Sequence, residues 1–320
     1  MSTALVTGVA GQDGVYLAHR LLAMGTRVVG TTRPGSGSAA AMAPYLDGVL
    51  LEECDLRDAE GFAALLERHR PDRVFNLGGF TSVGASWDQP ELVAEVNGAA
   101  VERMLAAVRD HRDRTGDDVR FLQAASAEEH GDARSPYAES KARAREAVRR
   151  ARSEHGLFAC AGVLHNHESP LRPARFVTRK ITTAAAAIAL GRQERLRLGT
   201  LEVARDWGAA RDHVEALRLM LDLPEPRDLV VATGVTHTLR DLVEQAFAAA
   251  GVDDAWARVD HDPALVRPQD SAALAGDPGE AERLLGWRAT TSFEDVVRTM
   301  VEVDLERLRT GVAERADYAR

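Results

Sequence analysis

Residues Thr7-Gly8-Val9-Ala10-Gly11-Gln12-Asp13-Gly14 (TGVAGQDG) form the stretch that decides the fold. They directly follow an apolar, strand-like run at Ala4–Thr7 and open a helical segment near Asp13–Met24. Glycines here permit a tight turn, let a pyrophosphate approach the backbone and allow the helix to pack closely on the strand. The pattern therefore predicts a dinucleotide site with the phosphates at the helix N-terminus, while a purely structural turn is the alternative. The predicted cofactor contacts in this loop are Gly8, Gly11, Gln12, Asp13 and Gly14.

Strand-like runs alternate with amphipathic helical segments through the first half of the chain. The predicted strands are Ala4–Thr7, Arg27–Thr31, Val49–Glu52, Arg73–Leu77, Val119–Ala124 and Leu157–Val163. The predicted helices lie near Asp13–Met24, Ala59–His69, Pro90–His111 and Tyr137–Glu154. Short, uniformly apolar strands separated by helices are typical of a parallel sheet that is covered on both faces. The predicted fold class is therefore α/β, with a doubly wound parallel sheet of the Rossmann type.

The alternation becomes irregular beyond about residue 163, which indicates a second region. Further elements are predicted at Phe176–Leu190, Asp212–Leu223, Leu229–Thr233, Leu239–Ala250, Pro278–Leu285 and Ser292–Leu308. We predict a Rossmann domain for NADP at residues 1–163, to which segments near 206–234 return. Residues 164–320 are predicted to form mainly a smaller C-terminal, substrate-binding lobe, because such folds bind ligands at the carboxyl ends of their strands.

Composition excludes several classes of protein. The 320 residues carry a formal net charge of −9, which argues against a nucleic-acid-binding surface. Two cysteines, Cys54 and Cys160, cannot build a disulfide framework or a cysteine-rich zinc site, and no metal site is predicted. No run approaches the roughly 20 apolar residues of a membrane-spanning helix, and the early first strand leaves no room for a signal peptide. We expect a soluble, cytoplasmic protein that binds neither nucleic acid nor membranes.

The second predicted strand bears on the type of dinucleotide. An NAD site usually has Asp or Glu at the end of this strand to bind the ribose 2′-hydroxyl. Here Arg33 stands at the strand end and would pair with a 2′-phosphate. NADP is therefore the predicted cofactor, and the alternative is that Arg33 is an ordinary exposed arginine. Residues expected to line the adenine and ribose side are Asp55 and Leu56 after the third strand and Leu77 after the fourth.

Tyr137 and Lys141 are four residues apart and therefore lie on one face of a predicted helix. The lysine charge would lower the pKa of the Tyr137 phenol, which could then exchange a proton with a sugar hydroxyl. Lys141 could also donate to the nicotinamide ribose, and Ser126 could hydrogen-bond the same substrate oxygen as the tyrosine. The chain contains two lysines, Lys141 and Lys180, against 38 arginines. Codon usage in a G+C-rich genome is the alternative explanation of this skew. Because lysine is a compact charge with a tunable pKa, unlike arginine, both lysines are candidates for function.

Glu128 adds a carboxylate two residues after Ser126. Oxidation of a sugar C4 hydroxyl makes the C5 proton acidic, so a nearby carboxylate could remove it and help to expel the C6 hydroxyl. Partial burial could supply the moderately tuned pKa that such a base needs. The alternative is that Glu128, like Glu129, faces the solvent. The predicted catalytic residues are Ser126, Glu128, Tyr137 and Lys141.

The glycine motif, the serine and the tyrosine–lysine pair together resemble the extended, nucleotide-sugar-modifying branch of the short-chain dehydrogenase/reductase superfamily. Local strings resemble one family within it, the GDP-mannose 4,6-dehydratases. They are TGVAGQDGVYL (7–17), NHESP (166–170), FVTRKIT (176–182), RDWG (205–208), ATGVTH (232–237) and GDPGEAERLLGW (276–287). The resemblance implies NADP, an internally recycled hydride, and conversion of GDP-mannose to a GDP-4-keto-6-deoxy sugar. It also implies that the nucleotide sugar contacts Asn166, Lys180, Arg205 and Arg267.

Two other functions stay open at the level of sequence. The 4-keto step could end instead in a nucleotide-sugar 4-epimerase, a 4-reductase or a 5,6-dehydratase, and a non-catalytic NADP-binding protein is a further alternative. The resemblance also bears on assembly, because the loop that holds a tetramer contact in the family is shortened here to Pro34–Ala41. We expect a homodimer through the helices near Pro90–His111 and Tyr137–Glu154, with a tetramer as the alternative.

Overall fold

In the first half of the chain, the strands and helices follow the alternation that the sequence predicts. The computed structural model describes residues 2–130, 135–265 and 273–320. The strands are β1 Thr3–Thr7, β2 Arg27–Thr32, β3 Leu50–Glu53, β4 Arg73–Asn76, β5 Arg120–Ser126, β6 Ala159–Leu164, β7 Asn166–Glu168, β8 Leu196–Leu198, β9 Ala204–Ala209, β10 Leu229–Val231, β11 Thr236–Thr238, β12 Val259–His261 and β13 Ala273–Leu274. The helices are α1 Gln12–Ala23, α2 Ser38–Ala41, α3 Ala59–His69, α4 Pro90–Ala94, α5 Ala100–Thr115, α6 Pro136–His155, α7 Val177–Ala189, α8 Ala210–Met220, α9 Leu239–Ala249, α10 Gly279–Leu285 and α11 Phe293–Thr310.

A seven-stranded sheet in the order β10-β6-β5-β4-β1-β2-β3 organises the first compact unit. Every neighbouring pair in it is parallel. The central strands are buried; Leu5 of β1 and Phe121 of β5, for example, pack in one core with Phe62 of α3 and Met104 of α5. Because parallel strands need helical crossovers and are covered on both faces, their sequences are nearly continuous apolar runs. The predicted α/β class with a doubly wound parallel sheet is confirmed.

One predicted helix differs from the structure in a way that matters for the site. The segment predicted as a single helix at Pro90–His111 consists of α4, a π-helical turn at Glu95–Ala99, and α5. Asn97, in the wide turn, is buried; its amide accepts from the Phe80 N–H (2.8 Å) and donates to the Phe80 carbonyl (2.9 Å). The turn thereby ties the loop after β4 to this helical segment. Apolar periodicity cannot reveal one such turn, because it adds a single residue to the helical repeat.

The chain divides into two compact units, and both contain segments that are separate in sequence. The first comprises Met1–Leu164, Val214–Val231 and Pro278–Trp287, and the second comprises His165–His213, Ala232–Asp277 and Arg288–Arg320. In the second unit β9 pairs with β7, β11 and β13, and β8 pairs with β12. Its core is formed by helices α7, α9 and α11 around these short strands. Within the part of the chain that the structure describes, no helix has both the length and the apolar character that crossing a bilayer requires.

Candidate active site

The glycine loop between β1 and α1 is shaped by close backbone approaches. Gly8 has a φ of +67°, and a Cβ built on it would lie 2.7 Å from the Cα of Gly78 in the turn after β4. A Cβ on Gly14 would lie 2.5 Å from the Gly8 carbonyl oxygen and 2.6 Å from the Val9 Cα. Side chains at these positions would collide with backbone, so only glycine lets the loop, the helix and the neighbouring turn come together.

Helix α1 presents its N-terminus at this loop. It begins at Gln12, and its N-cap is Gly11, which has no side chain to occupy the first-turn N–H groups. Asp13 lies in the first turn and accepts a 3.1 Å hydrogen bond from the Gln12 amide. A helix N-terminus approached by bare backbone suits a pyrophosphate. The loop therefore fits the phosphates of a dinucleotide.

The residues predicted for the adenine and ribose side follow the neighbouring strands. Arg33 is exposed directly after β2. The Asp55 carboxylate binds Arg57 in a bidentate manner, at 2.9 Å and 2.7 Å. Arg57 lowers the pKa of Asp55 to about 2, and the Arg33 charge contributes to the same shift. Leu56 reaches the glycine turn after β4, since its Cδ1 lies 3.1 Å from a Cβ built on Gly78; the preceding residue, Leu77, is half-buried.

Tyr137 and Lys141 meet the end of β5 inside the first unit. Ser135 caps the N-terminus of α6 by accepting from the Ala138 N–H at 3.1 Å, so the helix begins just before the tyrosine. Both side chains are buried, and the Lys141 Nζ lies 5.8 Å from the centre of the Tyr137 ring. The Lys141 ammonium also donates a 2.8 Å hydrogen bond to the Ala124 carbonyl of β5.

Burial dominates the electrostatics of Lys141. It lowers the pKa of the ammonium to about 8, while the negative charges of Glu129 and Asp13 act in the opposite direction. Burial disfavours the charged form and nearby carboxylates favour it. The lysine thus remains a cation at neutral pH but loses its proton far more readily than an exposed lysine does.

A chain of buried hydrogen bonds leads from the glycine loop to Lys141. The Thr7 hydroxyl donates to Asn76 Oδ1 (2.6 Å), and the Asn76 amide donates to Gln123 Oε1 (2.7 Å). The Gln123 amide in turn donates to the Ala124 carbonyl (2.9 Å), the same oxygen that accepts from Lys141. These side chains join the ends of β1, β4 and β5. Gln123 was not predicted as a site residue. The feature that could have indicated it is a polar side chain in the middle of an apolar strand.

Ser126 and the two glutamates after it form a capped turn. A 3₁₀ turn at Ala127–His130 follows β5 directly. The Ser126 hydroxyl accepts from the Glu128 N–H (3.3 Å), and Glu129 Oε1 accepts from the Ser126 N–H (3.1 Å). This reciprocal pattern resembles a capping box with the spacing Ser-x-x-Glu, except that the serine accepts from the N–H two residues on rather than three. Glu128 is partly exposed. The expectation that Glu129 faces the solvent is wrong, because its side chain is only 3% exposed.

Three of the four residues predicted to bind the nucleotide sugar, Asn166, Lys180 and Arg205, belong to the second unit. Asn166 begins β7 and pairs in register with Trp207 of β9. Arg205 is buried in β9, and its guanidinium donates to the Ala204 carbonyl at 2.9 Å. Lys180 is exposed on α7, where its Nζ donates to the Arg197 carbonyl of β8 at 2.7 Å. The structure thus places Asn166 and Arg205 on paired strands and Lys180 on a helix. Arg267 lies outside the described residues.

The Rossmann-type sheet and the serine–tyrosine–lysine set define the class of protein, an extended short-chain dehydrogenase/reductase. The family model for GDP-mannose 4,6 dehydratase matches residues 5–300. A GDP-mannose 4,6 dehydratase from Arabidopsis thaliana is 38% identical over 95% of this chain and 90% of its own length. One from Sinorhizobium fredii is 37% identical over 96% and 97%.

Among solved structures, a dTDP-glucose 4,6-dehydratase from Streptomyces venezuelae superposes with a TM-score of 0.84 at 23% identity, over 97% of this chain and 98% of that one. This likeness concerns the fold. From the sequence matches it follows that the chain belongs to the GDP-mannose 4,6-dehydratase family. The family consists of lyases that use a nicotinamide cofactor. The resemblance seen in the sequence is confirmed.

Replacing Gly14 with alanine should distort the glycine loop, because the added methyl group would collide with backbone atoms of Gly8 and Val9. We expect a loss of roughly 1–3 kcal/mol in the free energy of unfolding and about tenfold weaker binding of the reduced nicotinamide dinucleotide. Urea unfolding and fluorescence titrations with NADPH and NADH measure the two effects. Gly84→Ala is the matched control, since no atom lies within 4 Å of its added Cβ. Equal behaviour of the two variants would contradict the prediction.

Proposed function

We propose that this chain dehydrates GDP-mannose to a GDP-4-keto-6-deoxy sugar with the loss of one water. The observation that carries the proposal is the position of Lys141, in a member of this family: it bonds the Ala124 carbonyl of β5, two residues before Ser126, and lies 5.8 Å from the centre of the Tyr137 ring. Oxidation at C4, deprotonation at C5 and loss of the C6 hydroxyl all need positioned proton acceptors and donors. Side chains of the first unit can supply them.

The proton of the C4 hydroxyl goes to Tyr137. The buried Lys141 cation beside the ring favours the deprotonated phenol, which is the form that accepts the proton. Ser126 hydrogen-bonds the same sugar oxygen. Its hydroxyl oxygen accepts from the Glu128 N–H at 3.3 Å, so its own proton points away from that bond and is available to the substrate. These two contacts hold the C4 oxygen throughout the reaction.

Glu128 carries the elimination. With a carbonyl at C4, the C5 proton is acidic, and the carboxylate removes it. The same proton then passes to the C6 hydroxyl, which leaves as water, and a C5–C6 double bond remains. When C6 is reduced, C5 takes up a proton from the solvent, and Tyr137 returns the proton of the C4 hydroxyl to the solvent. Partial exposure of Glu128 suits a group that must reach the substrate.

NADP is the proposed cofactor, and the residues present fit it. Gly8, Gly11, Gln12, Asp13 and Gly14 would hold the pyrophosphate, and Asp55, Leu56 and Leu77 would line the adenine and ribose side. Arg33 would bind the 2′-phosphate, and Lys141 would donate to the nicotinamide ribose. When bound, NADP supplies the hydride acceptor for C4 and, once reduced, the hydride donor for C6, so that it ends unchanged.

The remaining roles rest on the family resemblance and are proposals of the same kind. Asn166, Lys180, Arg205 and Arg267 are proposed to bind the GDP-sugar, with the arginines suited to its diphosphate. The sequence-based division, a cofactor domain at 1–163 and a mainly substrate-binding lobe at 164–320, belongs to this proposal. So does a homodimer through the segment from α4 to α5 and through α6, where Leu105 and Ala151 line a surface groove.

The product of the reaction tests the proposal directly. Incubation with GDP-mannose and NADP should yield a nucleotide sugar lighter by one water, measured by mass spectrometry. Glu128→Gln should slow its formation by roughly 10²–10⁴-fold and abolish uptake of solvent deuterium at C5, because an amide cannot accept the C5 proton. Glu139→Gln, an exposed position on α6, is the control. An unchanged mass with an altered sugar would indicate a 4-epimerase instead.

The pH dependence follows from Lys141. The pKa of its ammonium is lowered to about 8, so the charge beside Tyr137 is present below that pH and disappears above it. We expect kcat/KM to fall as the pH rises through about 8. Lys141→Arg should lower kcat/KM by roughly 10²-fold at every pH, because a planar guanidinium does not fit the buried site of a compact ammonium. Wild-type rates in Lys141→Arg would contradict this role.

Arg33 tests the choice of cofactor. Arg33→Ser should weaken NADP binding by roughly 10- to 100-fold, since a charge-assisted hydrogen bond contributes about 1.5–3 kcal/mol. Binding of NAD, which lacks the 2′-phosphate, should stay nearly constant. Calorimetric titration with both dinucleotides measures the ratio, and Arg68→Ser, another exposed arginine, is the control. An unchanged NADP-to-NAD ratio would leave Arg33 as an ordinary surface residue.

A further inference from the structure

Glu129 is a buried carboxylate in the site that the reaction just described does not use. Its side chain is only 3% exposed, and it is adjacent in sequence to the proposed base. One oxygen, Oε1, accepts from the Ser126 N–H at 3.1 Å. It is therefore bonded to the backbone of a residue that is proposed to touch the substrate.

The other oxygen of Glu129 faces helix α6. Arg145 Nη1 lies 3.5 Å from Glu129 Oε2. Arg145 follows Lys141 by four residues, as Lys141 follows Tyr137, so all three lie along one face of the helix. Glu129 thus spans the gap between the end of β5 and the helix face that carries the tyrosine and the lysine.

We propose that Glu129 is a positioning residue for the Ser126, Tyr137 and Lys141 set, clamped between the Ser126 N–H and Arg145 on α6. The inference rests on the proposed function, because it assigns Glu129 a part in that same site. Glu129 has two separable tasks: its oxygen fixes the Ser126 turn, and its charge stabilises the Lys141 cation.

The charged groups around Glu129 come from several elements. Arg145 also lies 3.0 Å from His130 Nε2 in the 3₁₀ turn and 3.8 Å from Asp228 Oδ2, just before β10. Asp228 is itself bound at 2.8 Å by Arg152 of α6. On the lysine side, Asp13 of α1 is the second carboxylate that acts on Lys141. Arg145 therefore interacts with Asp228 as well as with Glu129. The negative charge of Glu129 also acts on the Lys141 ammonium.

The local motif alone does not require a charge. A capping box accepts glutamine as well as glutamate at its fourth position, since an amide oxygen also accepts from the cap N–H. Glu129→Gln therefore keeps the hydrogen bond to Ser126 and removes the charge. Glu129→Asp does the reverse: it keeps the charge and shortens the reach to the Ser126 N–H. The two variants separate the two tasks.

The scarcity of lysine makes the charge effect directly observable. The chain contains two lysines, so ¹³Cε-lysine labelling of the full-length protein gives two lysine signals in NMR spectra. Lys180→Arg assigns them, and the Lys180 signal then serves as an internal reference. In the wild type, Lys141 should titrate near its lowered pKa of about 8. In Glu129→Gln its midpoint should move down by about one pH unit.

Glu139→Gln is the matched control for charge. Glu139 is exposed on the same helix, between Tyr137 and Lys141 in sequence. The Glu139→Gln variant removes one negative charge by the same type of substitution and should leave the titration midpoint of Lys141 unchanged. An unchanged midpoint in Glu129→Gln, or an equal shift in Glu139→Gln, would overturn the charge role.

Activity measures the positioning role. Glu129→Asp should keep the Lys141 midpoint but lower kcat by roughly tenfold, because the Ser126 turn is no longer held; wild-type kcat in this variant would overturn that role. The alkaline fall of activity in Glu129→Gln should move to lower pH together with the NMR midpoint. The NMR titration needs no substrate, so absence of product from GDP-mannose would refute the proposed function while leaving the charge role of Glu129 to be decided on its own.

Discussion

The contact between the Lys141 ammonium and the Ala124 carbonyl is the constraint around which the site is built. A lysine cation is costly to bury unless polar groups meet it. Here one carbonyl accepts a hydrogen bond from it, and two carboxylates, Glu129 and Asp13, act on its charge. Burial still prevails and lowers the pKa to about 8, which leaves a cation that is charged at neutral pH and poorly solvated. Such a charge acts more strongly on the adjoining Tyr137 than an exposed one would.

The ends of the parallel strands explain how this contact is held. Carboxyl ends of neighbouring parallel strands meet at one edge of the sheet, so the Gly8 turn, Asn76 and Gln123 come together although they are far apart in sequence. The buried hydrogen bonds from Thr7 to Gln123 fill that edge with satisfied polar groups. The end of β1 at the glycine loop and the Ala124 carbonyl are therefore parts of one hydrogen-bonded network, which ends at Lys141 beside the Tyr137 ring.

Much of this could be predicted from the sequence, and the failures have physical causes. Helix α3 was predicted at Ala59–His69, where the structure has it, since its apolar spacing is strong. The three-residue strands of the second unit, such as Asn166–Glu168, were not predicted, because a period of two cannot be recognised over three residues. The π-helical turn at Glu95–Ala99 was missed for a similar reason. The roles assigned to individual site residues stay predictions.

The sequence by itself determined the class of fold and the family, because glycine spacing, strand–helix alternation and the tyrosine–lysine pair are local patterns. It also singled out Lys141 through the scarcity of lysine. Tertiary structure alone decided that the Glu129 side chain is buried, and that Gln123 and Lys141 share one carbonyl. The burial and the electrostatic surroundings of a side chain depend on segments that are distant in sequence. Two adjacent glutamates therefore cannot be distinguished by local pattern; their surroundings arise only when the strand end, the turn and helix α6 pack together.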